Sequence, residues 1–133
     1  MQRPWKQDVT LDPAVNTTKT TRVQLTKVVL RGILFPAVWT GAGNVSFECV
    51  PLASDAGDIG TDAPAIGATT WKQLVDSTGA LLTVNVTTDK LVALSQAQRE
   101  ALQACMGWVH LVASVVQAGG SRLITLVGEC EGM

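Results

Sequence analysis

Few residues in this chain can make or break bonds. There is one histidine, His110, and there are three cysteines, Cys49, Cys105 and Cys130. A hydrolase of the nucleophilic kind needs a nucleophile, a base and a group that orients the base. His110 is the single imidazole on offer, and it sits in an apolar run between Val109, Leu111 and Val112. That setting reads as a core or interface histidine, not a base. Thiolate chemistry needs a nearby cation or a helix N-terminus. Cys105 instead falls where a short helix should end, which raises a thiol pKa. Glycoside hydrolysis needs two opposed carboxylates. Glu48 and Asp76 are the pair one would pick, but no motif marks them. Asp55, Asp58 and Asp62 lie in a glycine-rich stretch that suggests calcium. The order of an EF-hand loop and its closing glutamate are missing, however. Trp39, Trp71 and Trp108 could line a sugar groove, although at strand positions tryptophans fill a core. The sequence thus predicts a protein that is no enzyme and carries no metal or cofactor, a protein whose work is contact.

The totals agree with that reading. A chain of 133 residues is expected to form one domain. Its hydrophobic fraction of 47% is ample for a core. Its charged fraction of 16% is low against a typical value of about 25%. A surface short of charge suggests that part of it continues into a partner. The net charge is −1 and no basic patch is visible, which argues against nucleic acid. An odd number of cysteines without C-x-x-C argues against a disulfide framework and suits a reducing cytoplasm. Residues 1–10 lack the apolar centre of a signal peptide. No run of about 20 apolar residues is present to span a membrane.

The elements read as strands. Residues 1–21 are polar and Thr-rich, with Pro4 and Pro13, and read as an extended N-terminal arm that is ordered only if something holds it. Trp5 on such an arm must dock, either on its own domain or on a neighbour. Residues 22–133 form the domain. Val28–Leu30 and Ile33–Trp39 are strand segments, and Pro36 makes the second an edge or a strand end. Val45–Leu52 alternates, with Val45, Phe47 and Cys49 on one side and Ser46 and Glu48 on the other. Residues 53–70 are a long Gly/Asp/Ala/Pro loop. Trp71–Val75, a turn at Asp76–Gly79 and the alternating run Leu82–Thr87 read as a hairpin. Ser95 and Gln98 have the spacing of a capping box that opens one short helix, about 95–104. Gly107–Val116 is apolar on both faces and should be a central strand. Leu123–Cys130 closes the chain. Seven or eight short strands and one helix predict an all-β antiparallel sandwich or jelly roll.

Several of these segments carry a resemblance. They are Phe35-Pro36-Ala37-Val38-Trp39-Thr40, Val45-Ser46-Phe47-Glu48, Trp71-Lys72-Gln73-Leu74-Val75-Asp76-Ser77-Thr78-Gly79, Gly107–Val116 and Arg122–Val127. Together they resemble small virion proteins of tailed bacteriophages, of the capsid decoration (cement) or head-fibre type, and they cover most of the chain. The loop at 53–70 is longer than that family's tight Asp-Gly turn, and Val112–Val116 lacks its Ser-Gly pair. The resemblance implies a β-sandwich that binds the major capsid protein on the capsid exterior, is assembled in the host cytoplasm and self-associates as a dimer or trimer. Arg3, Trp5, Lys6, Pro36, Asp58 and Asp62 are the expected contact residues. Deletion of residues 1–20 is expected to abolish shell binding and leave the fold intact. A tail or head-fibre module, or a carbohydrate-binding sandwich, is the alternative.

Overall fold

The computed structural model describes residues 2–51, 65–66 and 71–131. The nine strands are β1 (Gln2–Leu11), β2 (Val23–Gln24), β3 (Val28–Leu34), β4 (Asn44–Pro51), β5 (Lys72–Gln73), β6 (Thr83–Asn85), β7 (Leu91–Ala93), β8 (Gly107–Ala113) and β9 (Arg122–Glu131), with the helix α1 (Gln96–Gln103) between β7 and β8. One sheet has the order β1-β9-β3-β7, and the other has β2-β8-β4-β5 with β6 also on β4. All their pairings are antiparallel.

The pairing scheme is that of a long ribbon folded back on itself. β1 pairs with β9, β2 with β8, β3 with β7, and β4 with β5 and β6. The chain crosses between the sheets at every step outside the β4–β5–β6 run. Such a nested ribbon, wrapped into a four-stranded and a five-stranded layer, is a jelly roll. Each strand therefore turns one face inward and the other to solvent, and the inward set must be apolar.

The inward residues fit that demand. β4 contributes Val45, Phe47 and Cys49, β8 contributes Val109, Leu111 and Ala113, and β9 contributes Ile124 and Leu126. Leu30 and Ile33 come from β3, Val9 and Leu11 from β1. β8 is central, as its two apolar faces predict. β3 ends at Leu34, so Pro36 sits just past a strand end, where its carbonyl accepts from the Asp89 amide. The α1 capping box is complete: Ser95 accepts from the Gln98 amide, and the Gln98 side chain accepts from the Ser95 amide. Of the residues expected to face the core from the helix region, Leu94 and Leu102 are buried and Ala101 is half-buried, whereas Ala97 is exposed.

The turn at Asp76 folds as read. Its carboxylate accepts from the Thr78 amide and hydroxyl and from the Ala80 amide, and Val75 bridges Leu81. The hairpin opens beyond this point. β5 and β6 both pair with β4, one at Glu48–Cys49 and the other at Asn44–Ser46, so they share one edge of that strand.

The segment read as an arm is held by the domain itself. β1 pairs with β9 at ten positions, Gln2↔Glu131 through Leu11↔Arg122. Trp5 lies opposite Gly128 and packs against the core, so of its two possible docking places it takes its own domain. Thr10 bonds Thr21 on the side away from β9. By the antiparallel alternation, the backbone groups of even-numbered β1 residues face that side. Pro4 is one of these, so its missing N–H leaves no gap in the β1–β9 ladder. Residues 18–20 then run beside β8, with Ala113 donating to the Thr18 carbonyl and Thr20 to the Leu111 carbonyl.

Candidate functional site

The solvent-side face of the five-stranded sheet holds the only histidine. Alternation puts Glu48 of β4 and His110 of β8 on the face opposite the core, and the register makes them direct cross-strand neighbours (Glu48↔His110). His110 Nε2 lies 2.6 Å from Glu48 Oε1, and Lys19 Nζ lies 3.2 Å from the same oxygen. Lys19 is brought there by its bridge to Val112 across the far edge of β8. Trp71, just before β5, stacks on the imidazole with ring centroids 4.0 Å apart at 26°. The Trp71 indole N–H donates to the Ala65 carbonyl at 2.9 Å.

The imidazole is closed off, with an exposure of 0%. Its Nδ1 has no hydrogen-bond partner among the described residues. Among the described residues this favours a neutral ring. An imidazolium would bury an Nδ1–H donor without an acceptor, at a cost of about 1–3 kcal/mol. A neutral ring carrying its proton on Nε2 donates to Glu48 and leaves only a lone pair unmatched. Burial pushes the His110 pKa down, and that outweighs the pull of the Glu48 carboxylate; the Lys19 charge adds to the lowering. Burial pushes Glu48 up, yet hydrogen bonds from His110 and Lys19, with the Lys19 charge, hold its carboxyl below the ordinary value. The cluster is a neutral histidine clamped between a carboxylate and an indole. Among the described residues, the imidazole Nε2 faces Glu48.

A pH dependence follows. Both groups have folded-state pKa values below their unfolded ones, so the unfolded chain takes up protons first as pH falls. Their stabilisation is complete above the ordinary histidine value of 6.5. It declines below that as His110 titrates, and again below 4.5 as Glu48 does. Melting temperature is expected to be level above about pH 7 and to fall from about pH 6 downward. His110→Gln should remove the upper part of the decline and keep the lower part. Thermal melts from pH 4 to 8 on both proteins check this, and an unchanged upper slope in the variant would contradict it.

A second buried polar group closes one end of the sandwich. Gln117 is fully buried and bonds the Thr40 amide and carbonyl and the Val115 carbonyl. Arg122, also buried, donates to Gln117 Oε1, the Gly120 carbonyl and Thr40 Oγ1. All three are neutral oxygens, so the guanidinium is bound by geometry and not by an opposite charge.

The structure scatters the residues expected from sequence. Arg3 and Lys6 are exposed on β1, and Trp5 is half-buried. Trp5 is level with Leu30 of β3 across β9, whereas Pro36 lies beyond Leu34 toward the other end of the sheet. These residues form no single patch. Asp55, Asp58 and Asp62, with most of the 53–70 loop, lie outside the described residues. Asp76 caps an exposed turn while Glu48 is engaged with His110 and Lys19, so the two do not act as a carboxylate pair. Trp39 packs edge-on against Phe35 at 6.0 Å and is half-buried, whereas Trp71 is buried on His110. Sequence alternation placed Glu48 and His110 each on its own strand face. Their meeting depends on the β4–β8 register, which no local signal gives.

Compared with models of known families, with curated proteins and with solved structures, the chain has no match.

Proposed function

We propose that this chain is a structural virion protein, a capsid decoration (cement) protein that sits on the outside of a tailed-phage head and stabilises the shell of major capsid protein. The observation that carries the reading is the uncovered face of the four-stranded sheet. Leu34 and Leu91 are cross-strand neighbours on that face, at 41% and 59% exposure. Leu91 and Val127 approach each other above Gly32. Leu123, 53% exposed, lies on the same face of β9, beyond Thr125 and its hydrogen bond to Asp8. An apolar strip left open on a rigid sheet suits a protein that completes its burial on a partner. The inward faces, by contrast, are filled with aliphatic chains, and the one imidazole is sealed.

Two further points support it. The jelly roll is a fold used by viral shells and by lectins, which is analogy only. The sequence segments around Pro36–Thr40, Val45–Glu48 and Arg122–Val127 carry the resemblance to phage decoration and head-fibre proteins. Arg3 and Lys6, exposed beside the same sheet, and Pro36 at its end would lie at the margin of the contact.

The test has two parts. Purified particles of the encoding phage should hold this chain in numbers that match the shell's subunits, and imaging with and without it should show added density on the capsid exterior. Leu91→Asp, on an exposed site, should keep the fold and abolish binding to the shell. A handful of copies per particle would favour the tail or head-fibre alternative. Full binding by Leu91→Asp would remove this face from the contact.

A further inference from the structure

β1 is an end strand of the four-stranded sheet, and it is ten residues long. The backbone groups of its even-numbered residues face away from β9, as the bonds of Thr10 to Thr21 show. Those bonds close Thr10 on that side, and Pro4 has no N–H to offer there. Between the two, Lys6 and Asp8 each turn an N–H and a C=O outward, and among the described residues nothing bonds these groups. Both side chains are exposed. Alternation with the inward Val9 and Leu11 puts them on the outward face of the sheet. Lys6 meets no carboxylate among the described residues. Asp8 accepts from the Thr125 hydroxyl at Oδ1. An open strand edge of this kind is a template for a further strand.

We propose that β1 pairs with β1 of a second copy, antiparallel about a two-fold axis at Gln7. This register sets Lys6 of each copy opposite Asp8 of the other. The outward N–H and C=O of both residues then all find partners across the seam. Pro4 falls opposite Thr10, so the position without a donor meets the position that is already bonded. A slide of two residues, the least that keeps the same backbone groups facing, sets Lys6 on Lys6 or Asp8 on Asp8. A slide of four sets Lys6 on Pro4, which has no N–H to answer the Lys6 carbonyl. Unlike charges directly opposite stabilise a strand pair and like charges destabilise it. The charges thus select one register, and it is self-complementary, as a two-fold interface must be. The two four-stranded sheets run on as one, with their outward faces on the same side. The inference is independent of what that face binds.

The experiment follows self-association of the full chain by sedimentation across a range of concentrations. A seam this short is smaller than a standard interface, so a dimer with a dissociation constant of about 10–100 μM is expected. Amide exchange at Lys6 and Asp8 should slow as the dimer fills. Lys6→Asp and Asp8→Lys each set like charges across the seam and should weaken it about tenfold. Both sites are exposed, so the melting temperatures should stay close to the parent's. Mixed together, the two variants face each other with unlike charges at every pair and should form a heterodimer tighter than either alone. Lys6→Asp combined with Asp8→Lys in one chain should recover the parent's affinity. The proposal is overturned if the parent stays monomeric at about 1 mM, in which case Pro4 and Lys6 only guard the edge. It is equally overturned if the dimer ignores both single changes, or if the mixture is no tighter than its parts.

Discussion

A chain that starts at Asp12 should fail to fold. Residues 2–11 are β1, and their removal strips β9 of all ten of its partners on that side. It also takes out Val9 and Leu11, exposed by only 1% and 0%, and the Trp5 ring that packs on the core. Each of the two aliphatic chains is worth about 1.5–3 kcal/mol of burial. The strand ladder and the indole add to that, against a total stability of about 5–15 kcal/mol. The bared edge of β9 would also be a template for aggregation. The truncated protein is expected to be insoluble, or to lose amide dispersion in an NMR spectrum. The expectation that residues 1–20 can be deleted with the fold intact is therefore corrected. A soluble truncated chain melting where the full chain does would show that β1 is dispensable. The same reasoning governs any test of shell binding: it must use point changes on the surface, because a tail deletion would confuse loss of contact with loss of structure.

Gly128→Ala should be the most damaging single methyl added to this protein. Glycine within a strand is ordinarily a weak point, and alanine would recover about 0.5–1 kcal/mol of chain entropy. Here the added Cβ would run into the Val29 carbonyl oxygen and lie 3.1 Å from the Leu30 Cα. Both obstacles are backbone, so no side chain can rotate away. β3 and β9 must separate, beside the bulge between Leu30 and Gly32 and opposite Trp5 of β1. Clash wins over entropy, with a loss of about 3 kcal/mol. That corresponds to a melting temperature lower by on the order of 10 °C. Gly32→Ala is the internal control. Its Cβ would meet the Val92 carbonyl oxygen at 3.1 Å, which needs a shift of only a few tenths of an ångström, and two side-chain methyls at 3.2 and 3.3 Å that can turn, so a smaller loss of about 1 kcal/mol is expected. Denaturant melts of the two variants decide the matter, and equal losses would mean that the β3–β9 spacing is more compliant than the geometry implies.

Some of this was readable from the chain. Alternation at Val45–Cys49 determined which of its residues point inward, because a strand with one buried face must obey a period of two, and the two apolar faces of Gly107–Val116 determined that this strand is central. The spacing of Ser95 and Gln98 determined the helix start, and Asp76–Gly79 the turn, because caps and turns are closed by neighbours in sequence. The tertiary structure alone decided that β1 is a member of the sheet: a polar Thr-rich segment carries no local sign of a partner so far along the chain, as with Asp8 and Thr125, 117 apart in number. It alone decided that Glu48, Lys19 and Trp71 close around His110. Those contacts depend on strand register and on the wrapping of the ribbon. Both are set by how the whole apolar set fits together, and no stretch of a few residues encodes them.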